Sequence, residues 1–555
     1  MARTFIEAGS ASHSTRLPPR EHAPSPAEIV AWLKCPVAYD ERPARVECRE
    51  THISWVFLAG RYVYKLKKPV RFDFLDFSTP ALRRQACEDE VRLNQRLAKG
   101  VYLAVVPVAI GPGGELALGG KGRAGDSQVV DWLVKMRRLP AERMLDELLR
   151  SGQLAAAEID GLAAFLARFY QCASPLTLSA WGYRQVIEGH IRVNRRELLD
   201  PVHGLSAAVV KRVHAAQLRF LQLETAQIEA RVCDGRIIDG HGDLRPEHIC
   251  LKSEPIIFDC IEFNDDFRRI DVVDELAFLA MECDSLGAEP VGRRILEVYC
   301  RTNRDRFSDG LVNFYKMYRA CVRAKVAVLS AAQANAAAQA TSLHRASSLD
   351  LAHQYLKLAD AYATKMGPPA AIVVTGLMGS GKSTLAKALA ELLGAELVQT
   401  DQVRRELLGP SSTPSGFNQG PYRPEVRDRV YDEVLRRTEE VLGKGLSVVL
   451  DGTFLAARHR QRAIAEARRR CAVPLVVRCS CAADVALERI ARRAAAGTSQ
   501  SEARPELYRL QQTEYEADPP GEATLEIETT TTLRVQEAVV LDRLKQLLDA
   551  AGSMT

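Results

Sequence analysis

The sequence lacks several features that would define broad classes of protein. It has no run of about 18 apolar residues, so no membrane-spanning helix is expected. Its 13 cysteines form no CxxC pair, and the one close couple, Cys479 and Cys481, lies in an apolar strand pattern. Neither a zinc site nor a disulfide framework is therefore predicted. A formal charge of +5 is small beside 75 basic and 70 acidic side chains and does not predict nucleic-acid binding.

The length and the amino terminus set the next expectations. A chain of 555 residues is too long for one hydrophobic core, so two or more domains are expected. Residues 1–25 lack the apolar core of a secretory signal and predict a disordered tail. With 47% hydrophobic and 26% charged residues, the composition is that of a globular protein, and together with the cysteine pattern it predicts a cytoplasmic one.

The order of the patterns predicts two different folds. Strand patterns such as "ISWVFLAGRYVYKLKK" and the helical "PALRRQACEDEVRLNQRLA" come first, and helical periodicity then dominates residues 154–232 and 272–365. After the breaker "KMGPPA", continuous apolar strands alternate with helices, which predicts a doubly wound parallel sheet. The predicted division is a mixed domain over residues 26–345, a helical linker over 346–368 and the α/β domain over 369–555.

The string "GLMGSGKST", residues 376–384, satisfies G-x-x-x-x-G-K-[ST] in full and lies between an apolar strand and an amphipathic helix. Glycines let the backbone wrap closely enough for its N–H groups to point at phosphates. Lys382 would reach the terminal phosphates, and the Ser383 hydroxyl could bind Mg²⁺. The pattern predicts an ATP site whose loop comprises Gly376, Gly379, Ser380, Gly381, Lys382, Ser383 and Thr384.

Three further segments supply charged side chains to this predicted site. "VQTDQVRREL" places Asp401 and Arg404 after the second strand, and "VVLDGTF" places Asp451 at a strand end, where it would hold Mg²⁺ through water. For Asp401 the alternative is an ordinary helix N-cap. "ALERIARRAAAGTSQSEAR" places Arg489 and Arg493 on one helix face, as a lid that neutralises charge on the transferred phosphoryl or as a solvated basic face.

Together these motifs, over about residues 369–530, resemble the small P-loop kinases of the gluconate-kinase and zeta-toxin type. The resemblance rests on GLMGSGKST, the D-x-x-R of Asp401 and Arg404, DGTF and the paired arginines. It implies that Asp401 orients or deprotonates the acceptor hydroxyl. The acceptor itself differs widely within that group and is not implied.

The first domain contains a second set of residues suited to phosphoryl transfer. In "HGDLRPEH", residues 241–248, Asp243 is the candidate base, and Asp259 follows sixteen residues later as a candidate metal ligand. Lys65, with Lys67 as a rival on the same strand face, could bind phosphates and pair with Glu90. "VKMRRLP", residues 134–140 around Met136, could receive the adenine.

Over about residues 40–300 these motifs resemble the aminoglycoside phosphotransferase group, which implies a bilobal protein-kinase-like domain. The tandem order resembles a bacterial family of fused phosphotransferase and ATP-binding proteins. Two departures matter. No G-x-G-x-x-G precedes Lys65, and His248 stands where a metal-binding Asn is usual, which suits softer metals such as Mn²⁺ or Zn²⁺. Arg245 stands where protein kinases have a phosphate-contacting Lys.

The leading hypothesis is an enzyme with two ATP-dependent phosphotransferase modules that act on small hydroxylated molecules with Mg²⁺, or with Mn²⁺ at the first site. A first alternative makes the amino-terminal module a non-catalytic sensor of the P-loop kinase, which His248 motivates. A second makes the carboxyl-terminal domain a nucleic-acid end kinase or toxin-like kinase, which the basic segment "RHRQRAIAEARRR" motivates. That segment has no interleaved aromatic residues, so a solvated helix face is the preferred interpretation. The sequence predicts neither acceptor nor the oligomeric state.

Overall fold

The computed structural model describes residues 24–72, 75–111, 114–119, 128–336, 342–409, 423–495, 505–517 and 524–552. The predicted tail lies outside these ranges except for its last two residues, and so does the predicted lid loop over residues 496–504. Among the helices within these ranges, none combines the length and the apolar character that crossing a bilayer requires.

The described secondary structure is numbered along the chain. The strands are β1 (Val46–Glu50), β2 (Ser54–Ala59), β3 (Tyr62–Lys67), β4 (Arg71–Phe72), β5 (Leu75–Asp76), β6 (Tyr102–Ile110), β7 (Leu116–Leu118), β8 (Gln128–Arg137), β9 (Ile237–Asp239), β10 (Ile249–Cys250), β11 (Ile256–Ile257), β12 (Arg269–Asp271), β13 (Ala370–Thr375), β14 (Glu396–Gln399), β15 (Val448–Asp451), β16 (Val473–Ser480) and β17 (Thr524–Glu528). The helices are α1 (Pro26–Leu33), α2 (Pro80–Asn94), α3 (Leu145–Ser151), α4 (Ala156–Cys172), α5 (Ala180–Leu198), α6 (Ala207–Leu223), α7 (Thr225–Cys233), α8 (Val272–Ser285), α9 (Glu289–Asn303), α10 (Asp309–Ala336), α11 (Ser342–Thr364), α12 (Lys382–Leu393), α13 (Thr400–Leu408), α14 (Pro424–Gly443), α15 (Ala457–Arg469), α16 (Ala483–Ala495), α17 (Pro505–Glu514) and α18 (Leu533–Gly552).

The chain divides into two compact units. The first unit comprises Met1–Leu176 and Ile237–Asp305, and the second comprises Thr177–Arg236 and Arg306–Thr555. This division follows contacts in space and differs from the sequence-based one, because α5 to α7 and α10 group with the P-loop sheet. The predicted boundaries at residues 345 and 368 stay a prediction, and α11 covers most of the predicted helical linker.

The first unit is built on a six-stranded sheet with the order β1-β2-β3-β8-β6-β7, in which every neighbouring pair is antiparallel. Side chains alternate between the faces of a strand, so Lys65 and Lys67 of β3 share one face. The helix α2 begins after Thr79, whose side chain accepts a hydrogen bond from the N–H of Leu82, and Pro80 occupies its first turn. Its buried Glu90 lies within hydrogen-bonding distance of both lysines.

The second unit contains a five-stranded parallel sheet with the order β14-β15-β13-β16-β17. The prediction of a doubly wound parallel sheet is confirmed. The central strand β13 is buried at all six positions, as the continuous apolar run "AAIVVT" requires of a strand that is covered on both faces. Its carboxyl end leads directly into the glycine-rich loop and α12, so the phosphate-binding motif lies at the sheet edge where ligands bind in such folds.

The helix α6 packs closely against the parallel sheet's first helix within the second unit. Gly394, in the left-handed conformation at φ +61°, ends α12, and a Cβ there would lie 3.0 Å from Cα of Ala215 on α6. Lys211 of the same helix pairs with Glu396 of β14, with Nζ and Oε1 2.8 Å apart. These contacts explain why a helix more than 150 residues upstream groups with the sheet.

We expect Gly394→Ala to lower the free energy of unfolding by about 2–5 kcal/mol, because the left-handed backbone costs about 1–2 kcal/mol and overpacking adds about 1–3 kcal/mol. The matched control is Gly204→Ala, at φ +67° in the same unit, where a Cβ would meet no atom within 4 Å. Only the backbone cost is expected there. Urea unfolding followed by circular dichroism measures both, and equal losses would contradict the close packing of α6 on α12.

Candidate functional site

The glycines of the P-loop are required by conformation and by space. Gly376, Gly379 and Gly381 have φ of +144°, +76° and +85°. A Cβ on Gly376 would lie 2.5 Å from the carbonyl oxygen of Cys479, and one on Gly379 would lie 2.5 Å from that of Ala486. Any larger residue would clash with backbone that cannot move independently of the fold. The loop therefore keeps the close wrap that the motif predicts.

The polar side chains of the loop gather at the start of α12. The Lys382 ammonium donates to the carbonyl oxygen of Leu377 at 3.3 Å, and the Ser383 hydroxyl donates to Oδ1 of Asp451 at 3.1 Å. The Ser380 hydroxyl is 3% exposed and has no hydrogen-bond partner among the described residues. Such an orphaned buried donor fits a loop shaped to accept an anion. Thr384 lies in the first turn of α12.

Asp451 ends β15 and is 4% exposed. Its second oxygen accepts a hydrogen bond from Nε2 of Gln399 at 2.8 Å. A buried carboxylate held by a hydroxyl and an amide offers oxygen atoms of the kind that bind Mg²⁺. Gln399 escaped the sequence analysis, although its place at the end of β14, two residues before Asp401, is the signal that could have identified it. Within the described ranges, no group of three or more metal-ligating side chains is found.

Asp401 lies in the first turn of α13 and pairs with Arg404 one turn later. Its side chain is 43% exposed, whereas that of Arg404 is 13% exposed. The residue that precedes the helix is Gln399, and it makes no side-chain capping bond. Asp401 is therefore not the N-cap residue of α13. The carboxylate is instead held in place by a guanidinium, while remaining open to solvent.

The two predicted lid arginines have different environments. The Arg489 guanidinium donates to the hydroxyl of Thr529 at 3.0 Å, to its carbonyl oxygen at 2.8 Å and to the carbonyl oxygen of Gly379 at 3.4 Å. It therefore ties the P-loop to the chain just after β17. Arg493, one turn further along α16, is exposed. Thr529 escaped the sequence analysis because nothing local marks the end of the last strand as part of the site.

The basic segment over residues 458–470 comprises most of α15, and three of its six arginines pair with carboxylates of α14. Arg458 pairs with Asp428 at 2.8 Å, and Arg462 pairs with Asp432 at 2.7 Å. Arg470 also pairs with a glutamate of α14. Arginines that are already paired across two helices are less available to phosphate backbones. This arrangement favours the interpretation as a solvated helix face.

In the first unit, four residues separated by up to 194 positions form one buried charge cluster. The Lys65 ammonium lies 2.9 Å from Oε1 of Glu90 and 2.7 Å from Oδ1 of Asp259. The Lys67 ammonium lies 2.6 Å from the other oxygen of Glu90. The sequence left Lys65 and Lys67 as rivals, and both bind the same glutamate. Only Lys65 reaches Asp259.

The electrostatics of this cluster keep its members charged. Burial alone would raise the pKa of Asp259, but the Lys65 ammonium lowers it below its ordinary value. Burial would lower the pKa of Lys65, but Asp259 and Glu90 raise it well above its ordinary value. Asp259 is also the most accessible member, since its side chain is 40% exposed and that of Glu90 is 0% exposed. Its backbone at φ +65° is in the left-handed region, which a non-glycine residue occupies at some cost.

The loop with the candidate base contains an arginine that the sequence analysis assigned to phosphate. Nη2 of Arg245 lies 3.0 Å from Oδ2 of Asp243 and 3.1 Å from Nε2 of His248. Nδ1 of His248 lies 2.9 Å from the carbonyl oxygen of Asp243, which can only accept, so this nitrogen carries the proton. Nε2 then accepts from Arg245. The guanidinium thus occupies the nitrogen that the sequence analysis offered to a metal, and Oδ2 of Asp259 lies 3.6 Å from it.

Glu275 of α8 accepts hydrogen bonds from the backbone of this loop. The N–H groups of His241 and Gly242 both donate to one oxygen of Glu275, and the Tyr170 hydroxyl donates to the other at 2.9 Å. His241 accepts the N–H of Asp243 at Nδ1 and donates from Nε2 to a carbonyl oxygen. Glu275 and His241 therefore position Asp243. His241 lies within the motif "HGDLRPEH", but the sequence predicted no role for it.

Met136, the predicted adenine contact, lies on β8 and is 8% exposed. It packs in a core cluster with Cys87, Tyr102 and Val134. The structure therefore gives it a packing role in the sheet, and its contact with a nucleotide stays a prediction.

The cradle of glycines, with Lys382 and Ser383 at the start of the helix that follows a buried parallel strand, defines a P-loop nucleotide-binding domain of the kinase-like kind. Residues 372–517 match the family described as AAA domain. Solved structures similar to this region include a gluconokinase from Sinorhizobium meliloti, 22% identical over 32% of this chain and 94% of that chain, with a TM-score of 0.24. The APS kinase of Mycobacterium tuberculosis is 18% identical over 32% of this chain and 99% of that chain, with a TM-score of 0.25. Nothing about activity follows from these two likenesses.

A similarity over most of the chain relates it to proteins of mycobacteria. The uncharacterized protein Rv2004c of Mycobacterium tuberculosis is 34% identical over 455 residues, which cover 81% of this chain and 86% of that protein. The uncharacterized protein Mb2027c of Mycobacterium bovis matches to the same extent. The chain belongs to the family of these proteins.

Burial lowers the pKa of His241 from 6.5 to about 4. Between these two values the unfolded chain binds a proton that the folded chain does not, so the contribution of this group to stability falls as the pH falls. We expect the stability difference between the wild type and His241→Asn, measured by urea unfolding, to shrink between pH 7 and pH 5. All other titrating groups are shared by the two proteins. A difference that is independent of pH would show that His241 is not held neutral.

Proposed function

We propose that the chain is a tandem ATP-dependent phosphotransferase that transfers the γ-phosphoryl group of ATP to hydroxyl groups of small molecules at two sites. The observation that carries this proposal is that each unit has a lysine and carboxylates suited to phosphoryl transfer on neighbouring elements. In the second unit Ser383, next to Lys382, contacts Asp451, and Gln399, two residues before Asp401, contacts the other oxygen of Asp451. In the first unit Lys65 contacts Asp259.

For the second unit, the residues present fit a nucleotide with Mg²⁺. The glycine loop would hold the phosphates through its N–H groups, with Lys382 on the terminal ones. Ser383 and Asp451 would hold Mg²⁺, which when bound would neutralise charge on the phosphates. Asp401 would take the proton of the acceptor hydroxyl as its oxygen attacks the γ-phosphorus and the bond to ADP breaks. Arg404 keeps Asp401 in position for this step.

For the first unit, we propose a protein-kinase-like nucleotide site of the aminoglycoside phosphotransferase type. Its support is the contact of Lys65 with both Glu90 and Asp259, together with the loop that holds Asp243 on Glu275. Lys65 would bind phosphates, and Asp259 would bind the divalent metal ion. Mg²⁺ is proposed there, because Asp259 is an oxygen donor. Mn²⁺ held by His248 would require Arg245 to leave Nε2 of that ring.

A second candidate function makes the first unit a nucleotide-binding sensor without transfer activity. The observation that favours it is the 3.0 Å contact between Arg245 and the carboxylate of Asp243. The guanidinium neutralises the candidate base and covers part of it. Asp401 also pairs with an arginine, but its side chain is 43% exposed, whereas that of Asp243 is 27% exposed and is less available to an acceptor hydroxyl. In this case Asp243 would be a structural partner of Arg245.

Turnover of the full chain separates the two candidates. If both units transfer phosphoryl groups, Asp243→Ala and Lys382→Ala will each remove part of the total ATP turnover, and the double variant will remove nearly all of it. Loss of a catalytic carboxylate or of the P-loop lysine is expected to slow the affected site by about 100-fold or more. The assay uses labelled ATP with sugars, nucleosides, aminoglycosides and polyols as acceptors.

The control for Asp243→Ala is Asp266→Ala, a nearby exposed carboxylate that pairs only with Arg269 among the contacts described. It is expected to leave turnover unchanged. If turnover disappears in Lys382→Ala and is unchanged in Asp243→Ala, the tandem proposal is wrong and the sensor is favoured. Transfer of phosphate to oligonucleotide ends would instead favour a nucleic-acid kinase.

A further inference from the structure

A second ion pair, Lys67 with Glu262, lies beside Lys65 in the first unit. The proposed phosphoryl transfer gives this pair no role. The ammonium of Lys67 pairs with Glu262 as well as with Glu90. The side chain of Lys67 is 0% exposed, and that of Glu262 is 4% exposed. Burial alone would lower the pKa of Lys67, but Glu262 and Glu90 raise it, so the ammonium is charged. Glu262 adds one more buried group to the cluster, and burying charges is costly unless each is paired, as here.

The two lysines tie β3 to one short segment at two points. Lys65 contacts Asp259, and Lys67 contacts Glu262 three residues later. The two ties differ in accessibility, since Asp259 is 40% exposed at its side chain and Glu262 is nearly enclosed. A ligand can therefore reach the contact of Lys65 with Asp259 but not the contact of Lys67 with Glu262.

The contact of Lys65 with Asp259 is the one that a nucleotide would break. Lys65 has one ammonium group, and in this structure its donors are directed to Glu90 and Asp259. Its third N–H could reach phosphate oxygens. Oxygens that enter from solvent approach the ammonium on the side of Asp259, because Glu90 is fully buried, and they would compete with Asp259 for Lys65. Of the two ion pairs that join residues 259–262 to β3, only that of Lys67 with Glu262 would then remain.

We propose that the Lys67–Glu262 pair holds the segment of Asp259 against β3 while Lys65 exchanges Asp259 for the phosphates of a nucleotide. This rests on the proposed nucleotide site of the first unit. Lys67 and Glu262 are thus positioning residues, which act through Asp259 and do not touch the nucleotide. Lys67 also supports Glu90 at its second oxygen, so Lys65 can move without leaving that carboxylate unpaired.

The test measures Mg-ATP binding to the full chain by calorimetry in a Lys382→Ala background, which removes the P-loop site. We expect Glu262→Gln to raise the Kd for Mg-ATP about tenfold, which corresponds to about 1.4 kcal/mol. Glu262→Asp keeps the charge but shortens the side chain, and is expected to have a smaller effect of the same sign. It also provides a measurement if Glu262→Gln does not fold. The matched control is Glu50→Gln, which removes the exposed partner of Lys68, the residue next to Lys67. It is expected to leave the Kd within about twofold, as for a surface pair.

A double-mutant cycle with Asp259→Asn distinguishes positioning from general damage. If Glu262 acts through Asp259, Glu262→Gln will not weaken Mg-ATP binding further once Asp259→Asn is present, because interacting residues are non-additive. Additive effects, or no effect of Glu262→Gln alone, would overturn the positioning role. If Asp259→Asn itself leaves Mg-ATP binding unchanged, the proposed nucleotide site is wrong, which is a different failure from that of the positioning role.

Discussion

The first unit depends on one fully buried carboxylate, that of Glu90, which needs both Lys65 and Lys67. An unpaired charge in such a place costs several kcal/mol, so the sheet, the helix α2 and the segment that follows β11 must be positioned to supply partners. The alternation of side chains along β3 puts the two lysines on one face, and the length of α2 brings Glu90 between them. The accessible carboxylate of Asp259 lies at the edge of this cluster. The buried charges of Glu90, Lys65 and Lys67 thus position the exposed carboxylate of Asp259.

In the second unit, the functional residues are positioned by backbone conformation rather than by buried charges. Its phosphate-binding loop depends on backbone conformation, because Gly376 and Gly379 lie too close to neighbouring carbonyl groups for any side chain. The parallel sheet then brings Asp451 and Gln399 to the same edge. Arg489 fixes the loop to the end of the last strand through Thr529. A rigid loop with an orphaned Ser380 hydroxyl is a preformed receptor for an anion.

Much of this could be predicted from local sequence. The P-loop, the parallel strands and the partners Lys65 and Glu90 follow from motif spacing and from periodicity, which are local signals. The packing of α6 against α12 could not be predicted, because a contact such as Ala215 with Gly394 has no periodic signature. The contact of Arg245 with both Asp243 and His248 was equally hidden, since motif position suggested phosphate for the arginine and a metal for the histidine. Side-chain pairing within a loop depends on the fold around it.

The proposal of two nucleotide sites in one chain is tested most directly by the stoichiometry of Mg-ATP binding to the full chain, measured by equilibrium dialysis. Two bound nucleotides are expected for the wild type, one for Lys382→Ala, one for Lys65→Ala and none for the double variant. A single nucleotide in the wild type, lost in Lys382→Ala and kept in Lys65→Ala, would contradict the proposal. The buried cluster around Glu90 would then be structural only.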